Sequence, residues 1–231
     1  TSGNDKFTTP ADFKAQDIYI RSGNLIISGG AKVGQPGSDI TIAVENLVLE
    51  EGGRLDSSGT RTSGTAAGNI NIQASHSVII TGSIPDSPLI KSQIKANVAL
   101  NNATDKAGNI DITSPIVYME EGAMTANAIG AGTPGTIDIQ TNKLTLQNGA
   151  AITTANLGAQ QGGSITIDAK DAILIDGINN GTRSNINSAA RGDGDAGQIA
   201  ISTQQLTIQK NGKISTEIEE AGTGKAGSIN L

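Results

Sequence analysis

Carboxylates are the side chains of this chain with the most chemistry to offer. Asp193 and Asp195 stand two apart in the loop ARGDGDAG (190–197), and with Asp176 they could present hard oxygen ligands to Ca²⁺. A lone Asp-x-Asp, without the repeating Gly-Gly-x-Gly-x-Asp nonapeptide, reads first as a polar turn and only second as a Ca²⁺ site. No other cofactor is indicated. Asp168, Asp171 and Asp176 form the nearest acidic cluster, and polysaccharide cleavage requires either two carboxylates at catalytic separation or Ca²⁺ with a basic residue. Such a site also needs aromatic faces on which sugars stack, and the chain has no Trp, two Tyr and two Phe. A polysaccharide-active enzyme is therefore the weakest functional reading, and the chain reads as non-catalytic.

Other short signals are weaker still. His76 is the only histidine and there is no cysteine, so neither a histidine-based metal or Ser-His site nor a thiolate site can be assembled. Arg191-Gly192-Asp193 matches an integrin-binding tripeptide, a pattern short enough to arise by chance in a Gly- and Asp-rich loop. The acceptor patterns at Asn102 and Asn180 carry little information. ITTA at 152–155 has a Thr pattern that does not recur along the chain.

The elements that must position these residues are written as a repeat. GGSITI at 162–167 returns as AGNINI, AGNIDI, AGQIAI and AGSINL. The first apolar residue of each copy gives a column of Ile18, Ile40, Ile70, Ile110, Ile137, Ile165, Ile199 and Ile229, at intervals averaging about 30 residues. Two places on, the residue is again Ile in seven of the eight copies and Leu231 in the last. Alternation of a β-branched residue with Asn, Asp, Thr, Ser or Gln predicts strands with one buried face. A second motif, LTLQNGAAI (144–152), LIISGGAKV (25–33), LVLEEGGRL (47–55) and LTIQKNGKI (206–214), predicts a strand, a tight corner and another strand. Glycine suits such a corner, and Asn148 and Asn211 tolerate its left-handed backbone.

These patterns predict an all-β fold: a parallel β-helix, right-handed by the crossover rule, with three short strands per coil. With strands stacked about 4.8 Å apart, seven intervals make a rod of roughly 34 Å. The repeat occupies 17–231. Residues 1–16 lack it but carry Phe7 and Phe13, and are a candidate cap over the first coil. Proline, at Pro85, Pro88 and Pro115, falls at strand ends or corners. VYMEEGAMT (117–125) is one residue short at its corner, which leaves Met124 and Thr125 as alternatives for the inward position.

Two coils carry longer excursions, at 78–96 and 173–189, each returning through Ser-x-Ile-x at Ser92 and Ser184. The stretch 82–106 is the longest insertion and has exposed-looking Leu89, Ile90 and Val98. With Pro85, Pro88, Lys91 and Lys95 it is the preferred recognition element, because insertions in solenoids gather on one face and often bind; the equal alternative is that its apolar residues fold back over the side of the helix. The outward positions of the first strand, from Asp39 and Thr41 through Asn109 and Asp111 to Ser228 and Asn230, form a polar column. It reads first as a solvated face with side-chain ladders, and second as a surface for glycan or for another rod.

Net charge is −6, from 16 basic and 22 acidic residues without a basic cluster, which argues against a nucleic-acid or anionic-membrane partner. No apolar run reaches membrane-spanning length. The alternation of the Gly-x-Ile-x-Ile copies with LTLQNGAAITTA closely resembles the repeat region of filamentous-haemagglutinin-like exoproteins, over about residues 17–231. These are large surface proteins of Gram-negative bacteria, abundant in cyanobacteria and exported by the two-partner pathway. The resemblance implies a secreted or surface-attached rod used in adhesion, aggregation or matrix building. It also implies an outer-membrane transporter as export partner of the whole protein. The family's secretion domain carries Asn-Pro motifs and none occurs here, so the chain reads as shaft. Expected partners are surface glycans or proteins of a host or neighbouring cell, or further copies of the chain in a fibre stacked head to tail.

Overall fold

The computed structural model describes residues 4–7, 12–13, 17–60, 65–100, 106–130, 132–158, 160–191, 193–219 and 223–231. Every element among them is a β-strand, and nearly all pairing is parallel. The chain is a parallel β-helix. One ten-stranded sheet carries the long strands Asp17–Ile27, Asp39–Leu49, Ile70–Thr81, Ile137–Gln147, Ile165–Asp176 and Ile199–Gln209 in chain order. An eight-stranded sheet stacks the short strands that follow each corner, among them Arg54–Asp56, Gln93–Lys95, Ala123–Thr125 and Ala151–Thr153.

The register follows the isoleucine column. Ile18 pairs with Ile40, Ile40 with Ile70, Ile70 with Ile110, and so on through Ile137, Ile165 and Ile199 to Ile229. Ile on Ile along an interior row puts matched β-branched volumes in contact, and burying each is worth about 1.5–3 kcal/mol before entropy is subtracted. One continuous apolar core results, with Leu25, Leu47, Val78, Val117, Leu144 and Ile173 forming the parallel row beyond the bend.

Each coil departs from the expected scheme in one respect. The first two strands of a coil are a single strand of 11 or 12 residues that bends, and only Ser114-Pro115 splits it, into Ile110–Thr113 and Ile116–Glu120. At the bend the inward alternation slips, from Ile40, Ile42 and Val44 to Leu47 and Leu49. A small residue there accommodates the turn. Where it is Ser or Thr, its hydroxyl donates to the carbonyl two residues on: Ser22 to Asn24 (3.1 Å), Ser114 to Ile116 (3.0 Å), Thr141 to Lys143 (3.1 Å) and Thr203 to Gln205 (3.4 Å). A further short ladder, Val98–Leu100 on Ala128–Gly130, continues through single bridges to Asn156 and Ala190.

The second corner is a type I′ turn in four coils, with Ala31, Gly53, Ala150 and Gly212 N–H groups donating back three residues. Its two central residues have positive φ, as at Asn148 (53°) with Gly149 (83°) and Lys210 (46°) with Asn211 (70°). The short corner at 117–125 uses one such residue, Glu121 (59°), in place of two. That settles the inward position: Met124 is fully buried and pairs with Ile94 and Ile152.

Of the first sixteen residues, Asn4–Phe7 pairs parallel with Asn24–Ile27 and Asp12–Phe13 with Lys32–Val33. These strands prolong both sheets by a partial rung. The rest of that candidate cap lies outside the described residues.

Glycine two places before the column isoleucine, in the six copies from Gly68 to Gly227, meets a demand of space. A Cβ on Gly108 would lie 1.8 Å from the carbonyl oxygen of Gly68, on Gly135 2.0 Å from that of Gly108, and on Gly197 1.9 Å from that of Gly163. The glycines stack as a column whose backbones touch from rung to rung.

Candidate recognition surface

The excursion at 82–106 is not one loop. Ser83–Ile84 and Ser87–Lys91 form an antiparallel hairpin turned by Pro85-Asp86, and the chain then rejoins the rod at Gln93–Lys95. Pro88 and Ile90 are exposed and Leu89 stands 93 % exposed, while Lys91 is half-buried. Lys95 does not belong with them: it lies in the short-strand sheet, opposite Asp56 and Thr125. Val98 is also corrected, since it is 1 % exposed and packs on Ala107 and Ala128. Residues 101–105, with the Asn102 acceptor pattern, lie outside the described residues.

The second excursion repeats the device. Ile178–Asn179 and Thr182–Arg183 form an antiparallel hairpin with Asn180 and Gly181 in left-handed conformation at its tip. Ser92 and Ser184 staple the two hairpins identically. Ser92 Oγ donates to the Thr81 carbonyl (2.7 Å) and accepts from Gly52 N–H (3.1 Å); Ser184 Oγ donates to the Asp176 carbonyl (2.7 Å) and accepts from Gly149 N–H (3.0 Å). Both serines are fully buried. Each thus ties its hairpin to the corner of the preceding coil, and both hairpins leave the rod on one edge.

They are three rungs apart, roughly 14 Å. Between them lie the corners at Glu120–Gly122 and Asn148–Gly149. Asn148 Nδ2 donates to Glu120 Oε1 (2.6 Å), the Tyr118 hydroxyl donates to Glu120 Oε2 (2.9 Å) and accepts from Gln147 Nε2, and Asn179 Nδ2 of the second hairpin donates to Glu121 Oε1. Burial, and behind it Glu120, raises the Tyr118 phenol above its ordinary 10.0. This edge holds a fixed polar network flanked by two projections, one of which presents Leu89.

The carboxylates singled out for metal or catalysis are dispersed. Asp193 Oδ1 accepts from the Thr223 hydroxyl (2.7 Å) and Asp195 Oδ1 from the Lys225 N–H (2.8 Å), so both tie one rung to the next. Among the described residues no group of three or more His, Cys, Asp and Glu is placed to hold a metal ion. Asp168, Asp171 and Asp176 lie along one long strand, with Asp168 before its bend, Asp171 on it and Asp176 at its far end, ion-paired to Lys210 (3.1 Å). Gly192 of the Arg-Gly-Asp tripeptide lies outside the described residues. His76 is exposed at the bend beside Ser75.

The outward polar column is built as a ladder that sequence reading located without its partners. Asn69 N–H donates to Asp39 Oδ1 (2.6 Å), Asn109 N–H to Asn69 Oδ1 (2.9 Å) and Thr136 N–H to Asn109 Oδ1 (3.0 Å). Asn97, Asn127 and Ala155 continue the same pattern on another face. Asp111 and Asp138 stand opposite each other in that column. Partial burial, and then the Asp138 charge, raises the Asp111 carboxyl above its ordinary 3.8. A raised carboxyl favours the fold while protonated, and that contribution is lost as pH rises through its folded value. Asp111→Asn is therefore expected to raise the melting temperature at pH 7, with the gain vanishing below about pH 3.8. Thermal melts of both proteins across that range check it; an equal gain at every pH would remove the charge explanation.

No protein-family model, no curated protein and no solved structure matches this chain.

Proposed function

We propose that the chain is the shaft of a secreted, cell-surface adhesive or matrix protein of a Gram-negative bacterium, a non-catalytic rod that carries its recognition elements as hairpins on one edge. The observation that carries this reading is the pairing of two structural features. An isoleucine ladder runs in register through every coil, and two hairpins held by the same serine staple project from one edge of it. A core with one repeated solution makes a stiff spacer of any length, and insertions on it are free to vary. Leu89 at 93 % exposure is a side chain that folding alone does not account for. The partners this reading names are glycans or proteins of another cell's surface, or other copies of the rod.

Beads coated with the chain should attach to surfaces bearing epithelial glycoproteins, neutral glycans or the chain itself. Leu89→Ser with Ile90→Ser should abolish attachment to the surface that retains them and leave the thermal melt unchanged. Attachment that is absent throughout, or indifferent to that variant, would remove the adhesive role of the hairpin.

A further inference from the structure

A second surface feature lies on a different edge, at the bend of the long strands. Two cavities, of about 430 and 240 Å³, open there one after the other, and Thr113 lines both. Together they form a groove along the rod axis from Arg21 to Lys170, crossing six rungs and spanning roughly 24 Å.

Its cross-section is set by the bend. The floor is apolar or internally satisfied: Val44 and Ala74, then Ser114, Pro115 and Thr141, whose hydroxyls are taken by backbone carbonyls. One wall is the register column Arg21, Ala43, Gln73, Thr113, Gln140 and Asp168, one side chain per rung. Asn142 rises from the other. Gln73, Thr113, Gln140 and Asn142 have no side-chain hydrogen-bond partner among the described residues, unlike the Asn ladders on the other faces. Arg21 and Lys170 are balanced by Glu45 and Asp168, so the groove carries no net charge.

We infer that this groove binds an extended, uncharged, hydroxyl-rich chain, a neutral polysaccharide lying along the rod. No aromatic side chain lines the groove, so a binding site without the stacking platform of a cleavage site must receive the C–H faces of sugar rings on Val44, Ala74 and Pro115, with the ring hydroxyls at their rims. Carboxamides and a hydroxyl that both donate and accept, at Gln73, Thr113 and Gln140 on three consecutive rungs, suit those rims. A peptide adding as a strand needs a free sheet edge, whereas this groove crosses strands whose backbone groups are already paired. Balanced charge gives an acidic polymer no preference.

The test titrates the ¹⁵N-labelled 231-residue chain with uncharged gluco-, manno- and galacto-hexaoses, the corresponding disaccharides and a galacturonate hexamer, following amide shifts. At least one neutral hexaose should shift resonances of the groove residues, and its disaccharide should bind much more weakly. Gln73→Ala with Gln140→Ala should weaken the hexaose about tenfold or more with the melt unchanged. The Leu89→Ser, Ile90→Ser variant should bind that hexaose as the wild type does, which separates this site from the hairpin. The inference is overturned by any of four results: no neutral hexaose shifts the groove, the acidic hexamer binds best, the glutamine variant keeps full affinity, or the hairpin variant loses it.

Discussion

Gly135→Ala is expected to lower the melting temperature by about 10 °C, although it adds one methyl group to a residue with an ordinary φ. The added Cβ would lie 2.0 Å from the Gly108 carbonyl oxygen and 2.8 Å from its carbon. Neither neighbour can retreat. Gly108 is itself pressed on Gly68, and a Cβ on Gly163 would sit 2.2 Å from the Gly135 carbonyl oxygen. The rung must lift, straining the bond from Ile110 N–H to the Thr136 carbonyl (2.9 Å). Overpacking costs about 1–3 kcal/mol where side chains can shift, and backbone against backbone places this case at or beyond the upper end, about 3 kcal/mol. Gly181→Ala, at a hairpin tip with nothing within 4 Å, is the comparison: its left-handed φ of 79° costs only about 1 kcal/mol. Equal melts for the two variants would refute stacking as the reason for the glycine column.

Ile165→Asp should do more. Ile165 is fully buried between Ile137 and Ile199, and an unpaired carboxylate there must ionise in hydrocarbon or stay protonated. The cost is on the order of 5 kcal/mol, enough to open the rungs that touch it. A solenoid confines such damage, since each coil contacts only its neighbours. Hydrogen exchange should show protection lost over 137–209 and kept over 39–81, with partial recovery at low pH. Loss spread evenly from end to end would mean that the rod folds as one cooperative unit. Ile165→Val, at about 0.5–1.5 kcal/mol, controls for the loss of volume.

How much of this was readable beforehand follows from what each signal encodes. The column from Ile18 to Ile229 was legible position by position, because period-two alternation and recurrence fix both the face and the register. Met124 was ambiguous because one residue is missing from its corner, and only the left-handed Glu121 shows how the backbone absorbs the deletion. The sequence predicts two separate strands where one bent strand runs, since Ser22, Ser114 and Thr141 look merely polar until their hydroxyls are seen on the backbone. At the recognition edge, composition marked Leu89 and Ile90 but could not separate them from Val98, which differs only in lying where the chain has already returned to a ladder. The groove left no motif, because its wall comes from one ordinary residue per coil, of a different type in most of them.

The direction of the backbone hydrogen bonds has a mechanical meaning. They lie along the rod axis, so tension applied at the two ends loads them in series and draws strands away one coil at a time. Each coil occupies about 4.8 Å when folded, yet its roughly 30 residues release about 100 Å of slack when pulled straight. A rod built this way is a line of sacrificial links: it yields stepwise under load, absorbs work with each coil that gives way, and keeps its remaining length intact.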